Sequence, residues 1–212
     1  GANGLPVLNN TRGNIGNPYP DWIGSLRNTL NVKGLNITAL IDVRKGGDIW
    51  CGTYARMSQY GIVAESENRD ETKIIEGKRI IAGTPKYDSK TGLITNESEL
   101  TFADNARPIN AFNYYRSYLG DGPGSSAEMA VYDGSWVRLR ELGVSYRINL
   151  KGNKNLSYVD LGVVGRNLWL STKYPGVDPE TSLTGASSNI GGFDYFNNPG
   201  LKSFMFNIKL GI

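Results

Sequence analysis

The sequence predicts an all-β fold, an antiparallel up-and-down sheet of about five long strands that forms part of a transmembrane β-barrel. Three observations predict it. Long stretches alternate apolar and polar residues with a period of two, most plainly at 202–212. There Phe204, Phe206, Ile208, Leu210 and Ile212 fall on one face, and Ser203, Met205, Asn207 and Lys209 on the other. The connections are very unequal: short turns lie at one end of the strands and loops of tens of residues at the other. All four tryptophans, Trp22, Trp50, Trp136 and Trp169, stand at or just beyond the loop ends, where amphipathic rings form interfacial girdles.

Residues 1–22 read as loop, rich in Gly, Asn and Pro. The first strand is 23–33, with Leu26, Leu30 and Val32 opposite Ser25, Arg27, Thr29, Asn31 and Lys33. Gly34 supplies the positive φ of a tight hairpin. The second strand, 35–44, sets Leu35, Ile37, Ala39, Ile41 and Val43 against Asn36, Thr38, Asp42 and Arg44. Regularity then lapses across a loop of about 45–131, and loops this long carry small elements or function. Within it, 50–63 and 110–119 suit short helices, and 72–82 with 93–102 suit a small hairpin around Asp88-Ser-Lys-Thr-Gly92.

The third strand, 136–148, changes face near Glu141, which is the mark of a β-bulge. A turn at Lys151-Gly-Asn-Lys-Asn155 leads to the fourth strand, 156–169, where Val159, Leu161 and Val163 oppose Tyr158, Asp160 and Arg166. A second loop, 171–201, precedes the terminal strand.

Composition narrows the function. The net charge of +3, from 23 basic and 20 acidic residues intermixed along the chain, argues against a nucleic-acid partner. The absence of histidine removes His-dependent triads and imidazole metal sites. Cys51 has no second cysteine to pair with inside the chain, and reads as structural. Mean hydropathy is −0.35 with no long apolar run, which excludes a transmembrane helix while leaving barrel strands open. The chain begins at Gly1 without initiator Met or signal peptide, so it reads as a piece of a longer protein.

Alternation alone also fits a soluble or surface-attached β-sandwich that binds glycans through aromatic loops. The two architectures differ in what touches the apolar face. In a membrane, about five strands cannot close a barrel, since the smallest have about eight. The strands would then be the end of a larger one, with Arg27, Asp42, Arg44, Arg138, Arg140, Asp160 and Arg166 lining a wet lumen.

Six blocks carry a resemblance. They are Ile15-Gly-Asn-Pro-Tyr-Pro-Asp-Trp22, Lys33-Gly-Leu35, Arg44-Lys-Gly-Gly-Asp-Ile-Trp50, Asp133-Gly-Ser-Trp-Val-Arg-Leu-Arg140, Gly165-Arg-Asn-Leu168 and Lys173-Tyr-Pro-Gly-Val-Asp-Pro-Glu180. In order and spacing they resemble the C-terminal barrel of SusC/RagA-like TonB-dependent outer-membrane transporters. The chain departs from that pattern at its end, where Ile212 stands in place of the usual aromatic residue.

The resemblance implies that 1–212 is the C-terminal part of a barrel of about 22 strands, set in the outer-membrane lipid of a Gram-negative cell. It further implies extracellular loops at about 45–131 and 171–201 and an N-terminal plug elsewhere in the protein. A SusD-like surface lipoprotein would cap the mouth, and TonB would supply energy through segments outside this chain. The cargo would be an oligosaccharide or peptide.

Neither an enzyme nor a cofactor is expected. Asp178, Glu180 and Asp194 lack the spacing of a calcium loop and read as solvated loop acids. Asp42 and Asp160 read as lumen lining rather than a glycosidase pair. Gly120-Asp-Gly-Pro-Gly124 lacks the Lys and Ser/Thr of a phosphate-binding loop. The long loop carries Trp50, Tyr54, Tyr60, Phe112, Tyr114, Tyr115 and Tyr118. Of these, Trp50, Tyr54, Tyr60, Tyr114, Tyr115 and Tyr118 are candidates for contact with substrate or partner, the alternative being that they pack the loop onto itself.

Overall fold

The computed structural model describes residues 1, 3–120, 125–150, 155–184 and 188–212. Five long strands form one antiparallel sheet: β1 (Trp22–Val32), β2 (Leu35–Lys45), β3 (Trp136–Asn149), β4 (Tyr158–Thr172) and β5 (Ser203–Gly211). They pair in chain order, each beside the next, as an up-and-down meander. The β1–β2 hairpin turns on Lys33 and Gly34, with φ of 47° and 89°. Two successive positive φ values define the turn whose twist matches the strands it joins. Of the expected turn at 151–155, residues 151–154 lie outside the described residues, as do 121–124 of the Gly120–Gly124 stretch.

The register sorts the side chains onto two faces. Leu30, Ile37, Val144, Val163 and Phe206 form one apolar row across all five strands. Val32, Leu35, Tyr146, Leu161 and Ile208 form the next. On the other side Asn31, Asn36, Ser145, Gly162 and Asn207 line up, as do Arg27, Leu40, Glu141, Arg166 and Ser203.

The apolar face is open to its surroundings: Phe206 is 81% exposed, Ile208 69% and Leu30 52%. A β-sandwich would cover those rows with a second sheet and bury them. The sheet is not closed on itself, because β1 and β5 each pair with a single neighbour among the described residues.

The expected bulge is present one residue away, at Arg140: Leu40 pairs with Glu141 and Ile41 with Leu139. A second irregularity lies at the same level of β4, between Arg166 and Trp169, where Asn167 takes a φ of 53°. The block Gly165-Arg-Asn-Leu168 is therefore a bulge signal. The extra residue in β3 moves its apolar positions from even to odd numbers on the same face, so the rows continue through Leu139, opposite Trp169.

Contacts divide the chain into two units. One comprises Asn17–Ile49, Asp133–Gly192 and Asn197–Ile212, and holds the sheet. The other comprises Gly1–Gly16, Trp50–Tyr132 and Phe193–Phe196. In the latter, helix α1 (Gly52–Tyr60) ends on Gly61 in the left-handed region, as helices commonly do. Helix α2 (Ala111–Asn113) continues into a wider turn through Leu119. Both helical stretches fall where the sequence places them.

The small hairpin differs from expectation. Lys78–Ala82 pairs with Thr101–Asp104, Tyr87 bridges Ile94, and Thr72–Lys73 pairs with Ile109–Asn110 instead. Asp88 still makes its turn, accepting from the Lys90 and Thr91 amides at 2.9 and 2.7 Å.

Candidate functional site

Three of the resemblance blocks meet at the loop end of the sheet. The Asp48 amide donates to the Asn17 carbonyl at 2.7 Å, and the Asn17 amide to the Asp48 carboxylate at 2.8 Å. Arg44 donates to the Pro18 carbonyl at 2.9 Å, and the Asp21 amide to the Lys45 carbonyl at 2.8 Å. From the third block, Ser135 accepts from the Gly46 amide at 2.8 Å and the Gly134 amide donates to the Gly47 carbonyl at 2.7 Å. Gly46 and Gly47 hold φ values of 76° and 88°, and a Cβ on Gly46 would overlap the Asp21 carboxylate. The blocks build the joint from which β1, β2 and β3 depart.

The polar face of the sheet carries every residue expected on it, and most are paired. Arg147 clamps Asp160 through two bonds of 2.7 and 2.8 Å. Glu141 stands between Arg166 at 3.2 Å and Arg27 at 3.9 Å. Arg44 belongs to the joint already described. Asp42 accepts from Arg140 at 2.7 Å.

Around Arg138 and Arg140 the pairing becomes a network. Arg138 binds Asp178 at 2.6 Å and Glu180 at 2.9 Å. Arg140 holds Glu180 with two bonds, 2.6 and 3.0 Å, and reaches the Asn167 amide oxygen at 3.2 Å. Both guanidinium groups lie over the Trp136 ring, at 5.6 and 5.5 Å from its centroid. The side chains of Arg138 and Asp178 are only 5% and 7% exposed, whereas those of Arg140 and Glu180 are 29% exposed. The bulge makes this possible, since it lets Arg138, Arg140 and Glu141 all serve the polar side of one strand.

These contacts correct two expectations. Asp178 and Asp194 are buried rather than solvated. Asp178 pairs with Arg138, and Asp194 accepts from the Thr53 hydroxyl at 3.1 Å and the Cys51 thiol at 3.4 Å. Glu180 is engaged by both arginines. Burial of a carboxylate is tolerated where such donors replace its water. Among the described residues no three or more acidic or thiol side chains stand in a metal-binding arrangement.

The girdle expectation is also corrected in part. Trp22 and Trp169 are 53% exposed, on the apolar face. Trp136 instead lies buried beneath the arginines.

The aromatic candidates of the long loop pack mainly on one another. Tyr115 is 5% exposed and forms a core with Val63 and Ala111, to which Tyr54, Met57, Tyr114 and Leu119 add. Its hydroxyl donates to Glu71 at 2.9 Å and also meets the Glu65 carbonyl. Tyr114 meets Tyr115 edge-on at 5.2 Å and Tyr118 at 5.4 Å, and Tyr54 meets Tyr132 at 5.8 Å. Trp50 stacks on Tyr195 at 6.3 Å and leans on Phe193. Tyr115 is therefore withdrawn as a contact residue. Burying its ring beside a satisfied hydroxyl stabilises the loop itself. Tyr60, 69% exposed, is the most accessible of the six candidates.

Burial, then the hydrogen bond to Glu71, pushes the Tyr115 hydroxyl up to about 12. A raised pKa means the folded form holds the proton more tightly. The stabilisation is thus complete below the ordinary tyrosine range near 10 and is lost as pH rises through about 12. Tyr115→Phe is expected to cost about 1–2 kcal/mol within this loop unit and to flatten that alkaline window. Hydrogen exchange of residues 52–66 against pH measures both effects.

No family profile matches the chain. Its sequence is 37% identical over 87 residues to the TonB-dependent receptor P3 of Formosa agariphila, a stretch covering 38% of the chain and 9% of that relative. Its fold matches a chain of the RagAB peptide importer in the closed-closed state with a TM-score of 0.55 at 17% identity. In the open-open state the TM-score is 0.53 at 16% identity. These alignments cover 91% and 92% of the chain and 17% of the importer chain in each case. The resemblance to a segment of a SusC/RagA-like TonB-dependent outer-membrane transporter thus stands in sequence over part of the chain and in fold over nearly all of it. Neither relative is named as an enzyme.

Proposed function

We propose that the chain forms part of the wall and loops of a TonB-dependent outer-membrane importer of SusC/RagA type, taking up oligosaccharides or peptides. The observation that carries this reading is the two-sided sheet. Two apolar rows run through all five strands with most of their side chains exposed, while the other face holds paired charges. Hydrocarbon is the medium that accepts such a face without a second protein layer.

On this reading residues 1–212 are the C-terminal part of the barrel, with loops at about 45–131 and 171–201 facing outward. β1 and β5 pair with neighbouring strands of the same wall, as an edge in lipid requires. Arg27, Asp42, Arg44, Arg138, Arg140, Asp160 and Arg166 line the lumen. Tyr60, the most exposed of the six aromatic candidates, is available to cargo or to a SusD-like lipoprotein. Energy from TonB enters through other parts of the protein. The chain covers 17% of the importer chain it matches, so coupling and cargo selection are shared with residues beyond it.

The full-length protein is expected to sediment with outer membranes and to require detergent for release. Recovery of intact protein in a salt-washed soluble fraction would overturn the proposal.

A further inference from the structure

The network around Arg138 and Arg140 joins two parts of the chain that the sheet itself does not connect. Residues 173–180 leave the loop end of β4 and fold back to the polar face. There Asp178 and Glu180, two residues apart, meet Arg138 and Arg140, also two residues apart. The two halves of this clasp differ in kind. The Asp178–Arg138 pair is buried. Asp178 also makes its own turn, its carboxylate accepting from the Glu180 amide at 3.0 Å and its carbonyl from the Thr181 amide at 3.1 Å. Gly200 seals the pair, because a Cβ there would stand 2.7 Å from the Asp178 carboxylate. The Glu180–Arg140 pair is partly exposed, and Arg140 keeps Asp42 and Asn167 as alternative partners at 2.7 and 3.2 Å.

We infer that segment 173–180 is a strap with a fixed anchor, Asp178 on Arg138, and a releasable latch, Glu180 across Arg138 and Arg140. The inference rests on the lumen reading only for its consequence, since a strap over the polar face would narrow the path there. Its physical basis is independent of it. Letting go of the anchor leaves buried charges without partners, which is costly. Letting go of the latch returns a partly exposed carboxylate to water, while Arg140 stays paired with Asp42 and the buried Arg138 with Asp178. Opening should therefore begin at Glu180 and pivot on Asp178.

The test is hydrogen exchange, read by mass spectrometry, on the full-length protein in detergent. Glu180→Gln is expected to raise exchange of the 173–181 amides about tenfold, the scale of losing charge-assisted hydrogen bonds, with β3 and β4 unchanged. Raising salt should reproduce that rise in the wild type and add little in the variant, because the latch is accessible to ions. Asp178→Asn should differ by also raising exchange in β3 around Arg138. Equal exchange of 173–181 in wild type and Glu180→Gln would overturn the inference, as would identical profiles for the Glu180 and Asp178 variants. Soluble fractionation with the latch effect intact would refute the importer reading alone.

Discussion

Arg138→Ala is expected to destabilise the folded protein by about 3–5 kcal/mol, enough to collapse the yield of refolded protein. Arg138 is 4% exposed, and its loss strands Asp178, buried beside it at 2.6 Å, without its counter-charge. The cost is the penalty of an uncompensated buried carboxylate rather than the worth of the pair. A paired change, Arg138→Met with Asp178→Leu, should therefore recover much of the loss, because two apolar side chains leave no uncompensated buried charge and only the Glu180 amide loses its acceptor. Urea unfolding of the full-length protein, with mobility on unheated gels as the measure of folded fraction, distinguishes the two. A double variant as damaged as the single would mean that the geometry of the clasp, and not its charge balance, holds the loop.

The second large effect concerns the apolar face. Phe206→Arg is expected to cost about 2–4 kcal/mol in a bilayer, the range for a cation on the lipid side near the midplane. Phe206 lies in a row of five apolar side chains and is 81% exposed. Its neighbour Met205 is also exposed, at 55%, but faces the polar side. Met205→Arg should be tolerated within about 1 kcal/mol, as surface substitutions usually are. Both residues are exposed in the chain, so the contrast reports the medium beyond each face. Equal costs for both would remove lipid from the account.

The strands were legible in the sequence because a sheet with one apolar and one polar face leaves a period-two signature that needs no knowledge of the rest of the chain. Each of the five strands lies within three residues of its expected bounds. The face change near Glu141 announced the bulge, and Lys33-Gly34 announced the turn. The loops were less legible, for a physical reason. Tyr60 and Tyr115 are the same residue type in one irregular segment, and only tertiary packing decides that one is exposed and the other forms a core.

The clasp was missed for a related reason. Arg138 and Asp178 are 40 residues apart, and Arg140 and Asp42 are 98 apart, beyond any local pattern. A signal was present in the matched spacing of Arg-x-Arg in one block and Asp-x-Glu in another. Isolated loop acids look solvated until their arginines are placed.

The most direct test of the two-medium sheet is a spin-label scan of β5 in the full-length protein in lipid vesicles, one position at a time. Labels at Phe204, Phe206, Ile208 and Leu210 should be accessible to oxygen, which concentrates in hydrocarbon, and shielded from a water-soluble nickel complex. Labels at Met205, Asn207 and Lys209 should show the reverse or be shielded from both. Accessibility to the nickel complex at all positions, or an oxygen maximum on the polar set, would contradict the account.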